Sequence, residues 1–239
     1  MRNIGFSTGA LAYGDFSYAL EMLAPSHLPC IELSALRISE IRWLIESIPT
    51  LDVDGYRYIS IHAPSSFAAE EESWLADLLY IGVPEHWPIV MHPDAIHNFS
   101  QWKRFGRRIA IENMDRRKSC GRSVRELRSI FEQLPEAGLC FDIGHARQFD
   151  SSMTEAFLIL KNLQNRLVQL HLSEVNSESQ HEPISFGAIL AFQQIAFLVP
   201  ESVPIILESR VNAMQISKEV QKAEDSLKVL VAHQRLSFT

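Results

Sequence analysis

Short apolar runs recur along the chain, and each is followed by a stretch where apolar residues return every three or four positions. The runs are Ile4 to Thr8, Cys30 to Ser34, Tyr58 to His62, Ile89 to His92, Ile109 to Asn113, Leu139 to Ile143, Leu167 to Leu172 and Ile205 to Glu208. Their length and apolar character predict buried strands. Between them, Phe16-Ala19-Leu20-Leu23, Ile38-Ile41-Leu44-Ile45-Ile48 and Val124-Leu127-Ile130-Phe131-Leu134 have helical spacing. Ser123, with Glu126 three residues on, has the form of a capping box at the start of the third of these. A final helix is expected from near Ile216 through Val220, Leu227 and Leu230.

Eight such units fit in 239 residues, and the resulting ~30 residues per unit suits a strand, a helix and two loops. Strands apolar on both faces belong in a parallel sheet covered by helices. Eight in succession favour a closed barrel, the α/β (β/α)8 or TIM-barrel fold, over an open doubly wound sheet. No Gly-rich phosphate loop follows the first strand, since Gly5 and Gly9 do not make one. Residues 1–239 show no linker, charge block or low-complexity segment and read as a single domain.

Composition narrows the class. A hydrophobic fraction of 46% with 21% charged residues suits a globular protein and argues against disorder. A formal net charge of -7 disfavours nucleic acid as a partner without local basic patches. Cys30, Cys120 and Cys140 are sparse and far apart, which predicts a reducing compartment and inert buried thiols at Cys30 and Cys140. Ser7, Thr8, Tyr13 and Asp15 break up any N-terminal leader, and no run is long enough to span a bilayer. A cytoplasmic protein is expected.

The chemistry gathers at the strand ends. From the third strand onward they carry His62-Ala63-Pro64, His92-Pro93, Glu112-Asn113, Asp142-Ile143-Gly144-His145, His171 and Glu208, with His181 one loop beyond the seventh. In a β/α barrel the C-terminal strand ends share one pocket. Polar groups buried there are costly unless paired or ligating, and a divalent cation resolves that cost for several at once. Mixed carboxylate and imidazole donors suit Zn or Mn, with Mg, Co and Fe as alternatives. Glu112, Asp142, His171 and Glu208 are the core candidate ligands.

This ordered set resembles the xylose isomerase-like barrel superfamily, which holds sugar and keto-acid isomerases, epimerases and the family-2 apurinic-site endonucleases. Ile31-Glu32-Leu33 is similar to its second-strand signature. The resemblance implies two alternatives. In the isomerase branch, one metal sits on Glu112, Asp142, His171 and Glu208 and stabilises an enediolate. Glu112 and Glu208 then exchange the carbon-bound proton, and His145 contacts a substrate oxygen. In the endonuclease branch, three metals use His62, His92, Glu112, Asp142, His145, His171, His181 and Glu208 to cleave a phosphodiester. That branch places an Asp two residues before its last His. Here Ser179 precedes His181, and a hydroxyl is a poorer ligand. Compactness, acidity and the missing Asp favour a small sugar-like or keto-acid substrate over DNA. A non-catalytic metal-binding barrel is a third reading. Pairing into a homo-oligomer is known among such relatives, though no interface is marked in the sequence. Arg116, Arg117, Lys118 and Arg122 follow the fifth strand, and Arg147 and Arg210 follow the sixth and eighth; they are candidates for holding an anionic substrate group.

Overall fold

The computed structural model describes residues 2–229. Leu230 and His233 lie outside the described residues. The strands in chain order are β1 (Ile4–Ser7), β2 (Cys30–Ser34), β3 (Tyr58–His62), β4 (Ile89–Met91), β5 (Ile109–Glu112), β6 (Gly138–Asp142), β7 (Leu167–Leu172), β8 (Glu174–Val175), β9 (His181–Glu182) and β10 (Ile205–Leu207). All but β8 and β9 are parallel and close on themselves in the order β1-β10-β7-β6-β5-β4-β3-β2. The fold is the expected (β/α)8 barrel. Several strands end a residue before the apolar run does. Thr8, His92, Asn113, Ile143 and Glu208 stand just past the ladder, where the chain turns into the loops of the mouth.

Two apolar layers hold it together. The larger lies between strands and helices, where Ile89, Met91, Ile111, Leu139 and Phe141 meet helix residues such as Leu75, Leu127, Ile130 and Ile159. The spacing of the helix Ile38–Ser47 buries Ile41, Leu44 and Ile45 on that layer, as predicted. Val90, Ala110 and Cys140 face the other way and form a small separate cluster.

Three local features bear on the mouth. A register shift opposite Leu139/Cys140 pairs Cys140 with Gln169 and Asp142 with His171, so Gln169 and His171 share the inward face of β7. The ribbon of β8 and β9 pairs antiparallel outside the barrel and carries His181. The Ser123 hydroxyl accepts from the Glu126 N–H and starts the helix Val124–Gln133. The reciprocal half of the expected capping box is redirected, because Glu126 accepts from the Arg122 N–H and guanidinium instead. Among the described residues no helix is long and apolar enough to cross a membrane. Cys30 and Cys140 are buried free thiols, and burial raises the proton affinity of both.

Candidate metal centre

Glu112, at the end of β5, is 1% exposed and sits between two groups of histidines. Its Oε2 lies 3.2 Å from His62 Nε2 and 3.1 Å from His92 Nε2. Its Oε1 lies 3.1 Å from His171 Nδ1 and 3.5 Å from His145 Nδ1. Burial opposes its charge, but His171 and His92 and the hydrogen bonds from His171 and His62 outweigh it, holding its proton affinity well below the usual carboxylate range.

The remaining carboxylates behave differently. Asp142 caps the helix Ile143–Phe149, accepting from the His145 N–H through Oδ1 at 2.6 Å. Its Oδ2 is buried with no hydrogen-bond partner. Glu208 Oε2 stands 3.4 Å from His171 Nδ1 and 3.5 Å from His181 Nδ1. Burial, reinforced by the negative charges of Glu112, Asp142 and Glu32, raises its proton affinity well above normal, although His171 opposes the rise.

The histidines are oriented from behind. His62 Nδ1 lies 2.7 Å from the Ala63 carbonyl and His145 Nδ1 lies 3.0 Å from the Asn113 carbonyl, so those nitrogens donate. Asn113 is itself fixed by a paired exchange with the Asp142 backbone, its Nδ2 donating to the carbonyl and its Oδ1 accepting from the N–H, each at 2.8 Å. Gly144 makes room for this turn. A Cβ there would stand 2.6 Å from the Ser173 carbonyl and 2.8 Å from Val175 Cγ2. Burial and the positive field of His145 keep His181 neutral, since its proton affinity lies well below the ordinary imidazole range.

These side chains form overlapping groups whose donor atoms lie within 4.8 Å of one another: His62, His92 and Glu112; Glu112, Asp142, His171 and Glu208; Asp142, His145 and His181; and Glu32, His62, His171 and Glu208. The donor set fits divalent cations. Oδ2 of Asp142 lacks a donor. The lone pair of a neutral His62 would face the Glu112 carboxylate at 3.2 Å. Either defect costs roughly 1–3 kcal/mol if left uncompensated, and a cation at each position removes it.

All eight sequence-derived ligand candidates converge on the mouth, where a cavity of about 310 Å³ opens. The cationic candidates divide. Arg117, Lys118 and Arg210 line the cavity, Lys118 while paired with Asp94 at 3.0 Å and Arg117 while donating to the Ser179 carbonyl. Arg116 donates to the Ser177 carbonyl at the ribbon turn, Arg147 pairs with Glu174 at 2.8 Å, and Arg122 pairs with Glu126. Ser7, Ser65 and Tyr13 also line the cavity.

Two residues escaped the sequence reading. Asp115 is 3% exposed at the cavity wall, and its Oδ1 accepts from the Ser179 hydroxyl at 2.9 Å. A carboxylate therefore stands behind Ser179. The signal was an acidic residue three positions after Glu112. Glu32 was noted only as a signature, yet its side chain reaches His171.

A family model described as a xylose isomerase-like TIM barrel matches residues 98–233. No curated protein sequence matches the chain. Among solved structures, endonuclease IV from Thermus thermophilus is 18% identical with a TM-score of 0.57, covering 94% of this chain and 100% of that one. A xylose isomerase-like TIM-barrel protein from Mycobacterium smegmatis, in complex with magnesium, is 12% identical with a TM-score of 0.61, covering 95% and 98%. The 3-keto-D-glucoside 4-epimerase of E. coli is 13% identical with a TM-score of 0.52, covering 95% and 98%.

Proposed function

The chain belongs to the xylose isomerase-like TIM-barrel family, and from that premise we propose that it is a divalent-metal-dependent hydrolase of phosphoesters, acting on a small anionic substrate. The division of Glu112 carries this reading. Each of its oxygens faces a different group of histidines. That is the layout of a carboxylate shared between cations. A one-metal isomerase instead needs this carboxylate to have an oxygen free for a carbon-bound proton.

Bound divalent cations supply positive charge for a phosphoryl group and acidify water. The chain does the rest. Arg117, Lys118 and Arg210 face the cavity and attract and orient an anionic group. Glu208 faces the cavity beside His171 and His181 and would share a cation with Asp142 and His171. His145 and His181 keep their rings over the same space, 5.2 Å between centroids. Zn and Mn best match the mixed donors.

The test is cation stoichiometry together with turnover. Two or more tightly held Zn or Mn ions per chain, with cleavage of a chromogenic phosphodiester or phosphomonoester, supports the proposal. One ion per chain without phosphoester cleavage refutes it. Nicking of abasic duplex DNA in the same assay would move the substrate from small esters to nucleic acid.

Isomerisation or epimerisation of a sugar-like or keto-acid substrate is the second reading. It is favoured by Glu112 and Glu208 lining one cavity, the pair of carboxylates that proton exchange at carbon calls for. Turnover of free or phosphorylated ketoses with one bound metal would establish it instead.

A further inference from the structure

His171 is fully buried and has carboxylates at both edges of its ring. On the mouth side, Nδ1 lies 3.1 Å from Glu112 Oε1 and 3.4 Å from Glu208 Oε2. On the floor side, Nε2 lies 3.2 Å from Glu32 Oε2. A carboxylate can only accept, so each edge calls for a proton or a cation. When a cation takes the mouth side, one ring proton remains, and it must sit on Nε2.

A competitor occupies the same edge. Gln169 Nε2 lies 2.7 Å from His171 Nε2 and 2.7 Å from Glu32 Oε2. Its amide is oriented from both ends, Nε2 donating to Glu32 and Oε1 accepting from the Tyr58 hydroxyl at 2.7 Å. Without Glu32, the Gln169 amide would donate to a bare His171 Nε2. The ring proton would then move to Nδ1, directed at Glu112, and remove the lone pair a cation needs. Glu32 is also expensive to keep. It is fully buried on β2, held by Ser60 Oγ at 3.0 Å, and its Oε1 has no partner.

We propose that Glu32 is a positioning residue that holds the His171 ring proton on Nε2, so that Nδ1 stays free to ligate a cation at the mouth. Gln169, fixed by Tyr58, holds the opposite tautomer when Glu32 cannot accept. A carboxylate behind a metal-binding imidazole fixes tautomer and ring orientation and raises ligand basicity. This rests on the metal centre proposed above and not on phosphoester chemistry.

The experiment titrates Zn into the wild-type chain and Glu32→Met, which keeps the length of the side chain and removes its acceptor, with stoichiometry read by equilibrium dialysis and affinity by calorimetry. Loss of such an outer partner weakens affinity by about 10–100-fold, and the number of bound ions should not change. Long-range proton–nitrogen NMR of the Zn-loaded wild type should show His171 protonated at Nε2 and bound through Nδ1. Affinity within twofold of wild type overturns the proposal. So does loss of one equivalent of Zn, which would make Glu32 a ligand. A proton on Nδ1 in the loaded wild type overturns it even if Glu32→Met does not fold. If the wild type binds no Zn at all, the metal centre itself is refuted and this role falls with it. Zn binding without phosphoester cleavage leaves the role of Glu32 standing.

Discussion

Glu112 Oε2 and His62 Nε2 face each other at 3.2 Å, while the other ring nitrogen of His62 donates to the Ala63 carbonyl. In the metal-free protein a proton must fill that gap. Burial opposes it, but the Glu112 hydrogen bond and the charges of Glu32 and Glu112 prevail, raising His62 to about 9. A base whose proton affinity rises on folding stabilises the fold while protonated. His62 therefore contributes fully below about pH 6.5, and that contribution is lost as pH climbs through about 9. Melting of the EDTA-treated protein should shift to lower temperature across this window. A melting temperature that is flat or rising from pH 6.5 to 9 would contradict the assignment.

The same proton competes with a cation. Below about pH 9 metal binding should release a proton from His62, and each proton displaced makes affinity gain about tenfold per pH unit. Calorimetry in two buffers of different ionisation enthalpy measures the release directly. A pH-independent affinity would mean that His62 is not a ligand.

Removing the shared carboxylate should empty more than one position. Glu112→Gln is expected to lose at least two equivalents of Zn or Mn per chain, whereas His92→Ala loses one and leaves the Asp142, His171 and Glu208 group intact. Equal losses from the two variants would argue against a bridging role.

Glu208→Gln keeps the shape of the side chain but removes the negative charge that a cation needs. Turnover on a true substrate should drop by about 10²–10⁴, with the melting temperature nearly unchanged. Ordinary turnover in this variant would remove Glu208 from the chemistry.

Gly144→Ala tests the packing that aims Asp142 and His145. The added Cβ would press on the Ser173 carbonyl and Val175, and overpacking of this kind costs about 1–3 kcal/mol. A urea midpoint equal to wild type would show that the turn relaxes freely.

The strands and the mouth on which they converge are legible in the sequence. Strand ends such as Asp142 and His171 could be placed because apolar runs fix the strands and a closed barrel fixes where they converge. The Gln169–Glu32 contact could not, because it spans 137 positions and depends on the register shift at Cys140. Nor do the loop arginines follow from sequence. Both Arg116 and Arg117 donate to carbonyls of the ribbon turn, and Arg117 also lines the cavity while Arg116 does not, a choice made by the loop backbone and not by periodicity. Asp115 was hidden for the same reason: a lone acid in a loop normally faces solvent.

The ribbon of β8 and β9 stands apart from the closed ladder, joined to it only by chain continuity and side-chain contacts. His181, the sole ligand candidate it brings, thus hangs on an appendage and not on the frame. Under the proposed metal centre, lengthening, trimming or reshaping that appendage would change how many ions the mouth grips without touching a barrel strand. One scaffold can in this way drift between chemistries by editing a short hairpin at its rim.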